Sequence, residues 1–116
     1  MKAIIAGSRS ISLIRFVEQA VLASGFDITE VVSGGARGVD LLGERWAGLY
    51  DKPVKRFRAD WSKYGKSAGF RRNNEMAAYA DALIAVWDGE SHGTKHMIEA
   101  MVKLEKPVYV GFGGCK

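Results

Sequence analysis

The apolar positions of this chain fall into short runs that alternate between two spacings. Lys2–Ala6 is a β-rich run closed by Gly7. From Ile11 to Ala23 the apolar residues Leu13, Ile14, Val17, Ala20 and Val21 recur with the spacing of one helix face. Ser10 or Ser12 can cap the start of that helix, and Gly25 stands where a left-handed C-terminal residue belongs. Ile28–Ser33 reads as a second strand. Val39–Tyr50 reads as a second helix, with Val39, Leu42, Trp46 and Leu49 on one face. Pro53 stops that helix and opens a third strand, Pro53–Phe57. An irregular stretch, Arg58–Ala68, follows. It is long for a strand-to-helix connection, and such loops tend to carry function. Phe70–Ala80 predicts a third helix, Ala82–Trp87 a fourth strand, Gly93–Leu104 a fourth helix and Pro107–Phe112 a fifth strand.

Five strands alternating with four helices predict an α/β fold, a Rossmann-like three-layer sandwich with helices on both faces of a parallel sheet. Right-handed crossovers favour the strand order 3-2-1-4-5 within a single domain over residues 1–116. That order sets the first and fourth strands side by side, with their connections leaving in opposite directions. The crevice over their carboxyl ends is the expected ligand site.

Three loops leave the sheet at that end. Gly7-Ser8-Arg9-Ser10 offers a tight turn, hydroxyl donors and a guanidinium suited to phosphate or carboxylate. Ser33-Gly34-Gly35-Ala36-Arg37-Gly38-Val39-Asp40 opens a helix, whose first N–H groups suit an anion. Trp87-Asp88-Gly89-Glu90-Ser91-His92-Gly93-Thr94 opens another. One glycine-rich turn is weak evidence; three at one end of a sheet predict a ligand site. The standard dinucleotide fingerprint G-x-G-x-x-G is absent after the first strand, as is the phosphate-loop signature G-x-x-x-x-G-K-[ST]. A nucleotide here is therefore held in another way.

Charge changes the picture locally. The chain has 17 Lys and Arg against 13 Asp and Glu. Its basic residues concentrate between Lys52 and Arg72, where Lys52, Lys55, Arg56, Arg58, Lys63, Lys66, Arg71 and Arg72 face the single acid Asp60. This stretch suits phosphate on a small ligand or on a nucleic acid, or is a solvated surface. In the third helix Asn73 falls within the stripe of Phe70, Met76, Ala77 and Ala80, where a buried amide must tie loops together or touch a ligand. Arg71 and Arg72 fall in its first turn, a place that favours a nearby anion. Trp46 reads as core. Trp61, after Asp60, suits base stacking or a packed lid, and Trp87 suits packing or ligand contact. His92 and His96 read as exposed polar residues, and Glu99 as solvent-facing. The lone Cys115 has no disulfide partner within this sequence, which fits a reducing, cytoplasmic compartment. Two histidines and one cysteine argue against a metal site, and no run spans a membrane or reads as an export signal.

The glycine-rich loop from Ser33 to Asp40, then Arg72-Asn73, then the segment from Trp87 to Thr94 together resemble the SLOG superfamily, specifically its YspA-like branch. The resemblance runs from Gly7 to about Ala100. That superfamily includes the Lonely Guy phosphoribohydrolases, the DNA-processing protein DprA and sensor domains for nucleotide-derived signals. The resemblance implies a Rossmann-like fold and a nucleotide-type ligand across the three loops. It also suggests a homo-oligomer. It does not imply hydrolysis. In the phosphoribohydrolases a P-G-G-x-G-T-x-x-E motif supplies a catalytic glutamate three residues after the threonine, and here that position is Met97. Their R-K-x-x-M motif does match at Arg72 and Met76.

The expected function is binding of a phosphorylated, nucleotide-derived small molecule, to sense or sequester it, without a cofactor or metal. The contact residues expected are Gly7, Ser8, Arg9, Ser33, Gly34, Gly35, Ala36, Arg37, Gly38, Asp40, Asp60, Trp61, Arg72, Asn73, Trp87, Asp88, Gly89, Ser91, Gly93 and Thr94. One alternative is N-glycosidase action on nucleoside monophosphates, with Asp60, Asp88 or Glu99 as the acid. A further alternative is nucleic-acid binding through residues 52–72.

Overall fold

The computed structural model describes residues 1–112, so Cys115 lies outside the described residues. Its elements are β1 (Lys2–Gly7), α1 (Ile14–Ser24), β2 (Glu30–Ser33), α2 (Val39–Leu49), β3 (Val54–Arg56), α3 (Trp61–Tyr64), α4 (Ala68–Tyr79), β4 (Ala82–Trp87), α5 (His92–Lys103) and β5 (Val108–Phe112). The strands form one parallel sheet in the order β3-β2-β1-β4-β5, as the alternation predicts.

Strand residues alternate between two cores. Ala3, Ile5, Val31, Ile84 and Val86 face α1 and α2, where they meet Val17, Ala20, Leu42, Trp46 and Ala47. Ile4, Val32, Leu83 and Ala85 face α4 and α5, where they meet Met76, Ala77, Met97 and Met101. Strands buried on both sides explain the near-continuous apolar runs of β1 and β4. Each fully buried Ile or Leu contributes roughly 1.5–3 kcal/mol, so these central strands form the rigid platform for the loops above them.

Several boundaries differ from the sequence expectation. α1 begins at Ile14, after Leu13, and no side chain caps it, so neither Ser10 nor Ser12 has that role. Ile11 fits the helical spacing but is buried within the preceding loop, where its N–H donates to the Ser8 carbonyl. Gly25 does take the left-handed conformation, with φ 70°. The stretch from Arg58 to Ala68 is ordered rather than irregular. Asp60 caps the short helix α3, and a single 3-10 turn at Gly65–Ser67 leads into α4. Because α4 starts at Ala68, Arg71 closes its first turn and Arg72 stands just beyond it. Leu49 and Phe70 fit their helical stripes by spacing, yet both are largely exposed. No helix among the described residues is long and apolar enough to cross a membrane.

Candidate functional site

The three loops at the carboxyl ends of β1, β2 and β4 converge, and one buried serine joins them. The Ser8 N–H donates to the Val86 carbonyl at 3.1 Å, its hydroxyl oxygen accepts from the Asp88 N–H at 2.9 Å, and its carbonyl accepts from the Val39 N–H at 3.3 Å. Ser8 is thus bonded to the β4 loop and to the first residue of α2. Two glycines make this approach possible. A Cβ at Gly7 would lie 1.9 Å from the Val86 carbonyl oxygen, and one at Gly38 would lie 2.5 Å from the Ser8 carbonyl oxygen. Gly38 also has φ 83°, a conformation that L side chains rarely adopt.

The other half of the rim is closed from α4. The Arg72 guanidinium donates through Nη1 to the Gly34 carbonyl at 2.8 Å and through Nε to Asn73 Oδ1 at 3.2 Å. Asn73 Nδ2 in turn donates to the Gly93 carbonyl at 3.2 Å and lies 3.2 Å from His96 Nδ1. The amide therefore ties α4 to the start of α5. His96 is half-buried rather than exposed, stacked on Phe70 with ring centroids 4.3 Å apart. Burial holds its pKa below the usual imidazole value, and the Glu99 charge offsets only part of that. The β4 loop is braced from within. Asp88 Oδ1 accepts N–H bonds from Glu90 and Ser91, Trp87 Nε1 donates to the Ser91 carbonyl, and the Ser91 hydroxyl caps α5 by accepting from the Thr94 N–H.

Two adjoining cavities open inside this ring. A narrow inner chamber of about 70 Å³ is lined by Gly7, Asp40, Asn73, Ser91, Gly93 and Thr94, with Ala6, Met76 and Met97 as its apolar surface. A wider outer cleft of about 510 Å³ is lined by Arg37, Arg56, Arg58 and Trp61 together with Gly34 and Gly35. Arg9, Ala36 and Arg72 border both. Met97 occupies the position where the phosphoribohydrolase motif carries its glutamate, and it contributes an apolar side chain to the chamber lining.

Asp40 is the carboxyl of the inner chamber. Burial pushes its pKa up to about 6, against the opposing pull of the Ala36 N–H at 3.2 Å and the Arg72 charge. A carboxyl that exchanges its proton near neutrality in a cleft has the properties of an acid–base group. Glu44, one turn further along α2, behaves in the opposite way. Partial burial raises its pKa, but the bonds from Arg56 and from the Ser33 hydroxyl together hold it below the usual value. The Arg56–Glu44 ion pair thereby fastens β3 to α2 and takes one guanidinium out of play.

The structure brings most of the expected residues together around these cavities, and others sit behind them. Ser33 and Ser8 are fully buried and support the loops, while Gly38 packs against the Ser8–Arg9 backbone. Gly89, with φ 87°, forms the turn of the β4 loop. Trp87 stacks beside Phe112, and Asp60 caps α3 with its carboxylate held by Ser62 and Lys63. Glu99 is exposed, as expected. Of the eight basic residues between positions 52 and 72, only Arg56, Arg58 and Arg72 line the cleft. Sequence reasoning passed over Glu44. Its position four residues after Asp40, on the same helix face, was the available signal.

The model of the YspA, cpYpsA-related SLOG family matches residues 1–64, which contain the first two loops and the outer wall of the cleft. The chain belongs to that SLOG family. A relative, the Gene 61 protein of Mycobacterium phage D29, is 43% identical over 89 residues, covering 72% of this chain and 70% of its own length. No solved structure matches the chain significantly. SLOG membership supports, in general terms, a nucleotide-related binding or phosphoribohydrolase-like role.

Proposed function

We propose that this SLOG domain binds a phosphorylated nucleotide derivative in the paired cavities, acting as a sensing or sequestering module. The observation that carries the proposal is the convergence of three loops on a crevice bordered by Arg9 and Arg72. Two guanidiniums bordering one opening suit capture of phosphate oxygens. Trp61, 55% exposed on the wall of the outer cleft, offers a face for a base. The outer volume lies within the range of small-molecule sites. Titration calorimetry with nucleoside mono- and diphosphates tests this: saturable heats at micromolar to millimolar ligand are expected. Their absence at millimolar concentration for every nucleotide would remove the proposal.

A second reading, N-glycosidic hydrolysis of nucleoside monophosphates, is favoured by one observation. Asp40 places a carboxyl of raised pKa in the inner chamber, whereas Asp60 and Asp88 are engaged in local caps and Glu99 faces solvent. Incubation of concentrated protein with nucleoside monophosphates, followed by chromatography, distinguishes the two. Release of free base that is lost in Asp40→Asn supports hydrolysis, and intact substrate leaves the binding role alone.

A further inference from the structure

Five arginines, Arg9, Arg37, Arg56, Arg58 and Arg72, line the outer cleft, and no carboxylate lies among its lining residues. Only one of these charges sits in an ion pair, although the Asp40 carboxyl of the adjoining chamber also acts on Arg72 and Arg9. Arg56 is paired with Glu44, and among the described residues Arg9, Arg37, Arg58 and Arg72 have no ion-pair partner. Their arrangement is graded. Arg9 and Arg72 stand at the junction with the inner chamber, whereas Arg37 and Arg58 border the outer cleft alone. Arg72 is held in place by the Gly34 carbonyl and Asn73, while Arg37 and Arg58 are exposed.

A phosphate monoester brings a charge of about −1.5 to −2. Placed at the junction, it engages Arg9 and Arg72 and leaves Arg37 and Arg58 as further guanidiniums lining an outer cleft of about 510 Å³. The inner chamber, at about 70 Å³, is too small to take a base as well as a phosphate, so the remainder of the ligand must lie in the outer cleft. There it meets Arg37, Arg58 and the indole of Trp61. Like charges gathered around one concave site raise its potential and select a ligand of matching charge.

We infer that the ligand of this site is a nucleotide carrying two linked phosphates, one between Arg9 and Arg72 and the second between Arg37 and Arg58, with its base against Trp61. The inference rests on the binding function proposed above and specifies its ligand class. Free nucleoside diphosphates and pyrophosphate-bridged dinucleotides share this chemistry.

The test is calorimetry of the full chain with AMP, ADP, GMP, GDP, ADP-ribose, inorganic pyrophosphate and a short oligothymidylate, in the native protein and in an Arg37→Gln/Arg58→Gln variant. Both substitutions lie on exposed positions, and circular dichroism confirms the fold of the variant. Binding of ADP or GDP about tenfold or more tighter than the matching monophosphate is expected in the native protein. In the variant that ratio should collapse to within about twofold, because charge-assisted bonds to the second phosphate are lost. ADP-ribose matching or exceeding ADP identifies a bridged ligand, and ADP alone a terminal diphosphate; either supports the inference. Equal affinity for mono- and diphosphates in the native protein overturns it while leaving the proposed function standing. So does a ratio that survives in the variant, or pyrophosphate binding as tightly as ADP. Tighter binding of a short oligothymidylate than of any mononucleotide overturns it in favour of a polynucleotide. Absence of binding by every nucleotide removes the function itself.

Discussion

The inner chamber and the outer cleft adjoin, yet they are built from different material. Apart from Arg9 and Arg72, which it shares with the cleft, the polar walls of the chamber are short side chains; Asp40, Asn73 and Thr94 are all less than a tenth exposed and all tied to backbone or neighbouring loops. The cleft is walled by long guanidiniums on loops and on the edge strand β3, most of them facing solvent. Among the described residues no buried side-chain polar atom lacks a hydrogen-bond partner. The chamber is therefore a satisfied network, and such networks hold one geometry because any partial loss is costly. Within the cleft, the exposed Arg37 and Arg58 can be altered at little cost to the fold. Shape and chemistry belong to the chamber, and charge belongs to the cleft.

The hardest way to break this contrast is at Gly7, which lines the chamber. A methyl group there would lie 1.9 Å from a carbonyl oxygen of the neighbouring strand and 2.9 Å from Val39 Cγ2. Backbone must move to admit it. Gly7→Ala should cost about 3 kcal/mol or more in urea unfolding, at or above the upper end of ordinary overpacking in a core. Arg58→Ala in the cleft should stay within about 0.5 kcal/mol. Similar losses for the two would show that the chamber is no more rigid than the cleft.

Arg72 belongs to both regions and sharpens the comparison. Removing its guanidinium in Arg72→Met leaves the Gly34 carbonyl and Asn73 Oδ1 without a charged donor, a loss of about 1.5–3 kcal/mol for a hydrogen bond of this type. It also removes one of the two cations at the junction. Stability and nucleotide affinity should therefore fall together, whereas Arg58→Ala lowers affinity alone. If Arg72→Met keeps native stability, the ring of hydrogen bonds is not what closes the chamber.

The fold was legible because two-sided burial leaves a strong mark on a sequence. The runs of β1 and β4 and the apolar stripes of the helices between them were enough to give strand order and layers, and Ala82–Trp87 has the observed limits of β4. The errors occur where spacing and burial part company. Ile11 keeps the helical interval but packs in a loop, and Phe70 keeps it but turns outward onto His96. Asp60 followed by Ser62 and Lys63 carried a capping signal for α3, hidden because the helix spans a single turn. At the site, the glycine loops revealed the ring because their composition is local. The sorting of basic residues into cleft and periphery was not legible. It depends on the β2–β3 register, which sets Arg56 beside Ser33 and within reach of Glu44 on α2.

The smallest expected effect is the most specific, because it isolates one proton. The Asp40 carboxyl has a folded-state pKa of about 6, above the 3.8 of an exposed aspartate. The folded protein therefore binds this proton more tightly than the unfolded chain does. The resulting stabilisation is fully present below pH 3.8 and is lost as the pH rises through 6. Between pH 7.5 and pH 5 it amounts to roughly 1–2 kcal/mol in favour of the more acid condition. Two other groups act in the opposite sense. His96, with its pKa held down, loses stability on acidification through the usual imidazole range, and Glu44 does so below the usual carboxylate range. The measurement is thus the difference between the native protein and Asp40→Asn, which keeps an acceptor for the Ala36 N–H but does not titrate. In urea unfolding across pH 5–7.5, the variant should gain stability relative to the native protein as the pH rises, by roughly 1–2 kcal/mol over the interval. A pH-independent difference would mean that water reaches Asp40 freely. The chamber would then be as open as the cleft, and the division between the two regions would fail at its most buried charge.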